Sequence, residues 1–239
     1  MIYILGIKGK IASNLSVFLT EKEIKFIGVS RKESNNNISF NSFLRNISKE
    51  QNCLVINAAN LSIEDFETFI KSIKKNKYAR IIHISSVSVY GNSNNSNQIL
   101  PINNYGLLNL KKENYLKKIN RVLILRLSNV YGGFPETSPI LNLYNSGKLK
   151  FIEVDNNNNE LIRDFISINI LLLSIYKNLN FGKSNILNIS SGNGTKISDF
   201  LKLQNINILN IRRKVYNKNE TIKISIIDKN YNFWLNTDF

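Results

Sequence analysis

Gly6, Gly9 and Ala12 stand three residues apart in LGIKGKIASNLSVFL, a G-x-x-G-x-x-A spacing. Glycines at the first two positions permit a tight turn and let a pyrophosphate approach the backbone amides of a helix N-terminus, where a side chain would block it. The implied chemistry is dinucleotide binding. Further along, GVSRKES puts Ser30, Arg31 and Lys32 where an NAD-preferring fold carries an acid for the ribose hydroxyls. A guanidinium offers paired donors to phosphate oxygens, so these residues predict a preference for NADP(H), with NAD(H) as the alternative.

A glycine turn of this kind needs a strand to deliver it and a helix to continue it. IYILG, IKFIGVS, CLVINAA, RIIHISSV and RVLILRL read as buried strands, and helical periodicity falls near 11–21, 42–50, 62–77 and 104–118. The alternation predicts an α/β fold, a doubly wound parallel sheet covered on both faces, over residues 1–133. Beyond about 133 the pattern changes to isolated helices and the short strands FIEVD, ILNISS and INILNI. Residues 134–239 are therefore expected to form a small α+β part that binds substrate, interleaved with the first unit at their boundary. The Asn-rich tracts ESNNN, NSNNSNQ and DNNNNE carry turn chemistry between elements. The closing stretch from 217 to 239 gives no functional signal.

Composition narrows the function classes. The chain has 239 residues, enough for a sizeable core. Its one cysteine, Cys53, lies in an apolar run, which excludes a disulfide framework and fits a reducing compartment. The start MIYILGI is too short for a membrane span and runs into the glycine turn, so a cytoplasmic protein without membrane insertion is expected. Thirty-two basic against 17 acidic residues give a net charge of +15. The basic residues are dispersed rather than clustered, and about one residue in six is asparagine, so the charge reads as solvated surface and not as a nucleic-acid site. A positive field would still gather a small diphosphate. The lone histidine, His83, sits on a buried strand and reads as a core or hydrogen-bonded residue, with no metal site expected.

With RIIHISSVSVYG, YGLLNLKKE and LRLSNVYG in this order, the chain resembles the extended short-chain dehydrogenase/reductase family of sugar-nucleotide epimerases, dehydratases and ketoreductases. VINAAN, RDFISI and ILNISSGNGTKISDF extend the resemblance to about residue 199. It implies a Rossmann-type sheet, a sugar-nucleotide substrate of surface polysaccharide synthesis and a homodimer formed through the helices near 62–77 and 104–118. By position, the resemblance makes Ser86 the residue that polarises the reacting carbonyl or hydroxyl and Tyr105 the proton donor or acceptor. It gives Ala58 to the cofactor and Asn129 and Arg163 to the nucleotide diphosphate. Ser85 and Ser88 are expected to point away from the site or into the turn.

One position departs from the family. The lysine of the Tyr-x-x-x-Lys motif is replaced by Asn109, although Gly106, Leu110 and Glu113 fit the same helix. A tyrosine side chain in water titrates near pH 10, so neutral pH leaves a deficit of roughly 4 kcal/mol for any step that begins from tyrosinate. The family lysine offsets much of this with its charge and also holds the nicotinamide ribose. An asparagine can position the ribose but brings no charge. Ketone reduction, which begins from a protonated phenol, tolerates that loss better than alcohol oxidation, the opening step of epimerases and dehydratases. Lys112, two turns beyond Tyr105, is expected with Lys111 on the surface. The expected function is therefore an NAD(P)-dependent reductase of a keto sugar nucleotide. The alternative is a catalytically impaired family member that binds a dinucleotide and serves as a partner or sensor subunit, as Asn109 and a short C-terminal part would allow.

Overall fold

The computed structural model describes residues 1–34, 37–93, 98–215 and 224–225. Parts of ESNNN and NSNNSNQ and nearly all of the closing stretch 217–239 lie outside the described residues. In chain order the first elements are β1 (Ile2–Leu5), α1 (Lys10–Glu21), β2 (Ile27–Ser30), β3 (Asn37–Ser39), α2 (Phe40–Ile47), β4 (Leu54–Asn57) and α3 (Ile63–Ile73). Then come β5 (Arg80–Ser86), a 3-10 turn (Val87–Tyr90), α4 (Asn104–Leu116), β6 (Val122–Leu127), β7 (Asn129–Tyr131), α5 (Pro139–Asn145) and β8 (Phe151–Val154). The last are β9 (Ile162–Arg163), β10 (Phe165–Ser167), α6 (Ile168–Lys177), β11 (Asn185–Ile189), β12 (Thr195–Lys196), α7 (Ile197–Leu203), β13 (Arg212–Val215) and β14 (Ile224–Ser225).

Seven strands form one sheet in the order β11-β6-β5-β4-β1-β2-β3. Every pairing in it is parallel. All positions of β4 and β6 are buried, as a parallel sheet covered on both faces requires of its central strands. On one face Leu15 and Leu19 of α1 and Leu171 and Ile175 of α6 pack on Ile4, Ile56, Ile82 and Leu125. On the other, Phe43 of α2, Phe66, Phe69 and Ile73 of α3 and Leu116 of α4 cover Tyr3, Leu5, Val55 and Ile81. This is the Rossmann-type doubly wound sheet that the sequence predicts. Its strand order reverses between β1 and β4, and ligands of such sheets bind outside the strand C-termini at that switch point.

After residue 133 the chain returns to the sheet, because β11 adds in parallel beside β6 and α6 covers it. The remaining segments build a small separate core in which Leu141, Ile152, Phe200 and Leu201 pack together and Phe165 stacks on Phe200 at 3.7 Å. INILNI, expected as a strand, is not one. Asn205 takes a left-handed backbone (φ 58°), Ile206 N–H donates to the Leu201 carbonyl, and the segment closes the end of α7 instead. The strand forms directly after it, as β13 paired with β8. DNNNNE folds as an Asx turn in which Asp155 accepts from the amides of Asn157 and Asn159.

Candidate active site

The turn after β1 is built around Gly6, whose φ of +80° few side-chain-bearing residues adopt. A Cβ there would lie 2.7 Å from the Ala59 Cα, so β1 and β4 approach this closely only because position 6 is glycine. Gly9 caps α1 with no side-chain bond, which leaves the first helical amides facing outward. Ala12 is buried and contributes close packing of α1 on the sheet rather than cavity wall. Gly6, Gly9 and Ala58, together with Leu5, Ala59 and Asn60, line a cavity of about 560 Å³ over the ends of β1, β2 and β4. Gly6 and Gly9 add no side chain to its floor.

Ser30, Arg31 and Lys32 form the β2 side of this cavity, and Lys8 joins them. Among the described residues no carboxylate pairs with Arg31 or Lys32. The Ser30 hydroxyl donates to the Lys32 carbonyl and folds the loop back over the strand end. Asp65, in the first turn of α3, is the only acid among the lining residues, so the wall carries net positive charge. Sequence reasoning missed Asp65 and Phe40 as wall residues, since both arrive from helices whose docking onto the strand ends is a tertiary fact.

Ser86 ends β5, and the 3-10 turn that follows carries the chain past α4. Gly106 makes their approach possible: a Cβ on it would lie 2.5 Å from the Ser88 carbonyl oxygen. Asn103 caps α4 by accepting from the Gly106 amide at 2.8 Å, which fixes Tyr105 in the first helical turn beside the end of β5. The elements are thus brought together, but the two hydroxyls are not joined. Ser86 Oγ shares a hydrogen bond with Ser88 Oγ at 2.7 Å, whereas Tyr105 is 57% exposed and lies outside the cavity lining. Ser88 is therefore in the turn, as expected. Ser85 points the other way and donates to Glu113 at 2.6 Å.

Glu113 anchors this corner. Its carboxylate, fully buried, receives Arg126 through a two-point fork at 2.6 and 3.0 Å. Arg126 also donates to the Tyr90 hydroxyl, which donates to Asn188. The chain of bonds ties α4 to β5, β6, the 3-10 turn and β11, so Tyr105 stands on a rigid mount. The Asn109 amide, on the same helix, donates to the Tyr105 carbonyl at 2.9 Å.

Lys112 corrects an expectation. Lys111 is exposed, but Lys112 is 6% exposed and points inward, because the i, i+4, i+7 face that holds Tyr105 and Asn109 packs two turns on against Phe66 of α3. Its ammonium donates to Asn60 Oδ1 at 3.4 Å and lies 5.9 Å from the centre of the Phe66 ring. Burial pushes it below the ordinary lysine range. His83, also against Phe66, is held at Nδ1 by the Asn57 amide at 3.1 Å. Burial, with Lys112 nearby, lowers its pKa to about 3, so the ring is neutral. It is the hydrogen-bonded core histidine the sequence suggests.

Asn129 and Arg163 lie outside the cavity lining, on β7 and β9. The Asn129 backbone N–H and side-chain amide both donate to the Asp164 carbonyl, at 3.0 and 3.1 Å. The Asp164 carboxylate, raised by burial and drawn the other way by its bonds, accepts from Ser191 and Gly192. Arg163 donates to the Ile162 carbonyl at 3.0 Å. Among the described residues no group of three or more His, Cys, Asp or Glu is placed to hold a metal ion, and no helix is long and apolar enough to cross a membrane.

No protein-family model matches the chain, and no curated protein matches it. Solved structures do. UDP-glucose 4-epimerase of Thermotoga maritima, with UDP-glucose, superposes with a TM-score of 0.72 at 19% identity, over 95% of this chain and 89% of that one. The dTDP-glucose 4,6-dehydratase of Bacillus anthracis, in complex with NAD, gives 0.72 at 18% identity, over 96% and 89%. An NAD-dependent NDP-hexosamine 5,6-dehydratase of tunicamycin biosynthesis gives 0.76 at 16% identity, over 95% and 88%. At this identity the likeness, which runs nearly the full length of each chain, establishes the fold alone, a Rossmann-type α/β sheet.

Proposed function

We propose that the chain is an NAD(P)-dependent oxidoreductase of the extended short-chain dehydrogenase/reductase type that reduces a keto sugar nucleotide. The observation that carries this is the close approach at Gly106, which sets the first turn of α4, with Tyr105, beside the strand end that bears Ser86. Gly6, Gly9, Ala58 and the first amides of α1 would hold the dinucleotide, with Ser30, Arg31 and Lys32 favouring a 2′-phosphate and so NADP(H). The structurally similar dehydratases use or hold NAD, which keeps NAD(H) as the alternative. A reduced nicotinamide, when bound there, would be the source of hydride for the carbonyl carbon. Ser86 donates a hydrogen bond to the carbonyl oxygen, and Tyr105 gives that oxygen its proton as the C=O bond becomes C–OH. Asn129, in β7, and Arg163, in β9 of the appended part, would contact the diphosphate of the substrate. A homodimer and a place in surface polysaccharide synthesis belong to the same reading.

Two experiments test it in order. Titration with NADPH and NADH, followed by nicotinamide fluorescence, is expected to show saturable binding. Turnover of 4-keto UDP- and dTDP-sugars is then expected to consume the reduced cofactor. The second reading, a dinucleotide-binding partner subunit without turnover, is favoured by the exposed Tyr105 ring and by the uncharged Asn109. Tight binding with no turnover across the panel would select it.

A further inference from the structure

Two buried side chains, His83 and Lys112, lie against the ring of Phe66 with donor capacity that the described residues do not fill. Asn57 Oδ1 accepts from the Ala59 amide, which orients the Asn57 side chain so that its N–H₂ donates to His83 Nδ1. The neutral ring therefore carries its proton on Nε2, and that atom has no partner among the described residues. Lys112 has three N–H donors, a single long bond to Asn60 and no ion-pair partner among the described residues. A buried ammonium without a counter-charge is unfavourable, and buried polar groups without partners mark a missing one. Oxygen atoms of a ligand or of water satisfy such donors. The direction of the ligand is given by Asn60, which touches Lys112 on one side and lines the dinucleotide cavity on the other.

We propose that Lys112 is a positioning residue of the dinucleotide site, supplying from two turns further along α4 the positive charge that Asn109 lacks. It acts through Asn60: the ammonium holds Oδ1, so the Asn60 N–H₂ is left to donate to a ribose hydroxyl or phosphate oxygen of the bound dinucleotide. The inference rests on the reading of the cavity as a dinucleotide site. Lys112 lies on the helix face that also carries Tyr105 and Asn109, and its ammonium sits between Asn60 and Phe66.

The test is Lys112→Met, which keeps the length of the side chain and removes the charge, with the exposed neighbour Lys111→Met as control. Melting temperature is measured with and without NADPH, and affinity by nicotinamide fluorescence. Lys112→Met without cofactor is expected to melt no lower than the wild type, because a buried unpaired charge has been removed. Its affinity for NADPH is expected to fall at least tenfold, with a smaller cofactor-induced rise in melting temperature, while Lys111→Met matches the wild type. Adding Asn109→Lys to Lys112→Met is expected to restore most of the affinity. Wild-type protein that binds neither NADPH nor NADH overturns the cavity reading and this inference with it. Wild-type binding matched by Lys112→Met overturns the role of Lys112 alone. A lower melting temperature without recovery in the double variant also overturns it, since Lys112 would then be structural only.

Discussion

The side-chain amide of Asn109 donates to the main-chain carbonyl of Tyr105, four residues back on α4, at 2.9 Å. One of its two N–H donors is therefore committed to the helix itself. A lysine at 109 has the reach to pass that carbonyl and bring a charge toward the phenol. Asn109→Lys is expected to raise the rate of sugar-nucleotide oxidation at pH 7 about tenfold to a hundredfold, recovering part of the roughly 4 kcal/mol deficit of a phenol that must act as base. Ketone reduction should change by less than about threefold, since it begins from the protonated phenol. Stopped-flow absorbance of the nicotinamide in both directions checks the ratio.

A Cβ on Gly6, directly after β1, would lie 2.7 Å from the Cα of Ala59, just beyond β4. Gly6→Ala must either move Ala59 or distort a turn whose φ is +80°, at a cost of about 1–3 kcal/mol. Both responses narrow the cavity. The expected result is a lower melting temperature and loss of dinucleotide binding, read by calorimetric titration. Binding that survives intact would place the pyrophosphate elsewhere.

The Arg126–Glu113 fork, with Ser85 and Tyr90 bonded to it, fixes α4 to the sheet. Removing one charge strands the other in the interior. Glu113→Gln is expected to lose about 3–5 kcal/mol in urea unfolding, whereas Glu113→Leu combined with Arg126→Met should lose less than Glu113→Gln alone. Activity in that double variant is expected to remain low, because the bond from Arg126 to the Tyr90 hydroxyl and the bond from Ser85 to Glu113, which orient the corner, are both lost.

The positions of Gly6, Gly9, Ser30, Arg31, Ser86 and Tyr105 on strand ends and helix starts were legible because each lies next to an apolar run whose period identifies its element. The parallel, doubly covered sheet followed from alternation of those runs with helical stretches, and its strand order came only with the structure. What sequence could not supply is which helix face is inward. Lys112 looks like surface in YGLLNLKKE because Lys111 beside it is surface, and only the docking of α4 over Phe66 decides between them. Asp65 and Phe40 in the cavity wall are invisible for the same reason. INILNI misled because alternation fits a strand, while Asn205 in a left-handed backbone turned the chain at the end of α7 first.

Arg31 and Lys32 meet no carboxylate among the described residues and stand at the cavity wall. Charge-assisted bonds to a phosphate contribute about 1.5–3 kcal/mol each. Arg31→Ala is therefore expected to weaken NADPH about tenfold or more while leaving NADH within about twofold. Comparing both dissociation constants in one buffer, at two salt concentrations, separates a specific 2′-phosphate contact from a general positive field. Equal losses for the two cofactors would assign Arg31 to the pyrophosphate field instead.

His83 makes the fold acid-sensitive in a defined window. Its pKa is lowered by burial first and by Lys112 second, to about 3, against an ordinary value of 6.5 in the unfolded chain. Between those values the unfolded chain binds a proton that the folded one refuses, so stability is intact above pH 6.5 and declines as pH falls toward 3. The decline attributable to this ring is at most about 5 kcal/mol, at 1.36 kcal/mol per unit. His83→Gln offers the Asn57 amide an acceptor and does not titrate. Urea unfolding from pH 7 to pH 4 should show the variant losing less stability than the wild type over that range, even if it begins lower at pH 7. Parallel losses in the two proteins would mean that His83 is protonated in the folded state, and that an acceptor reaches its Nε2.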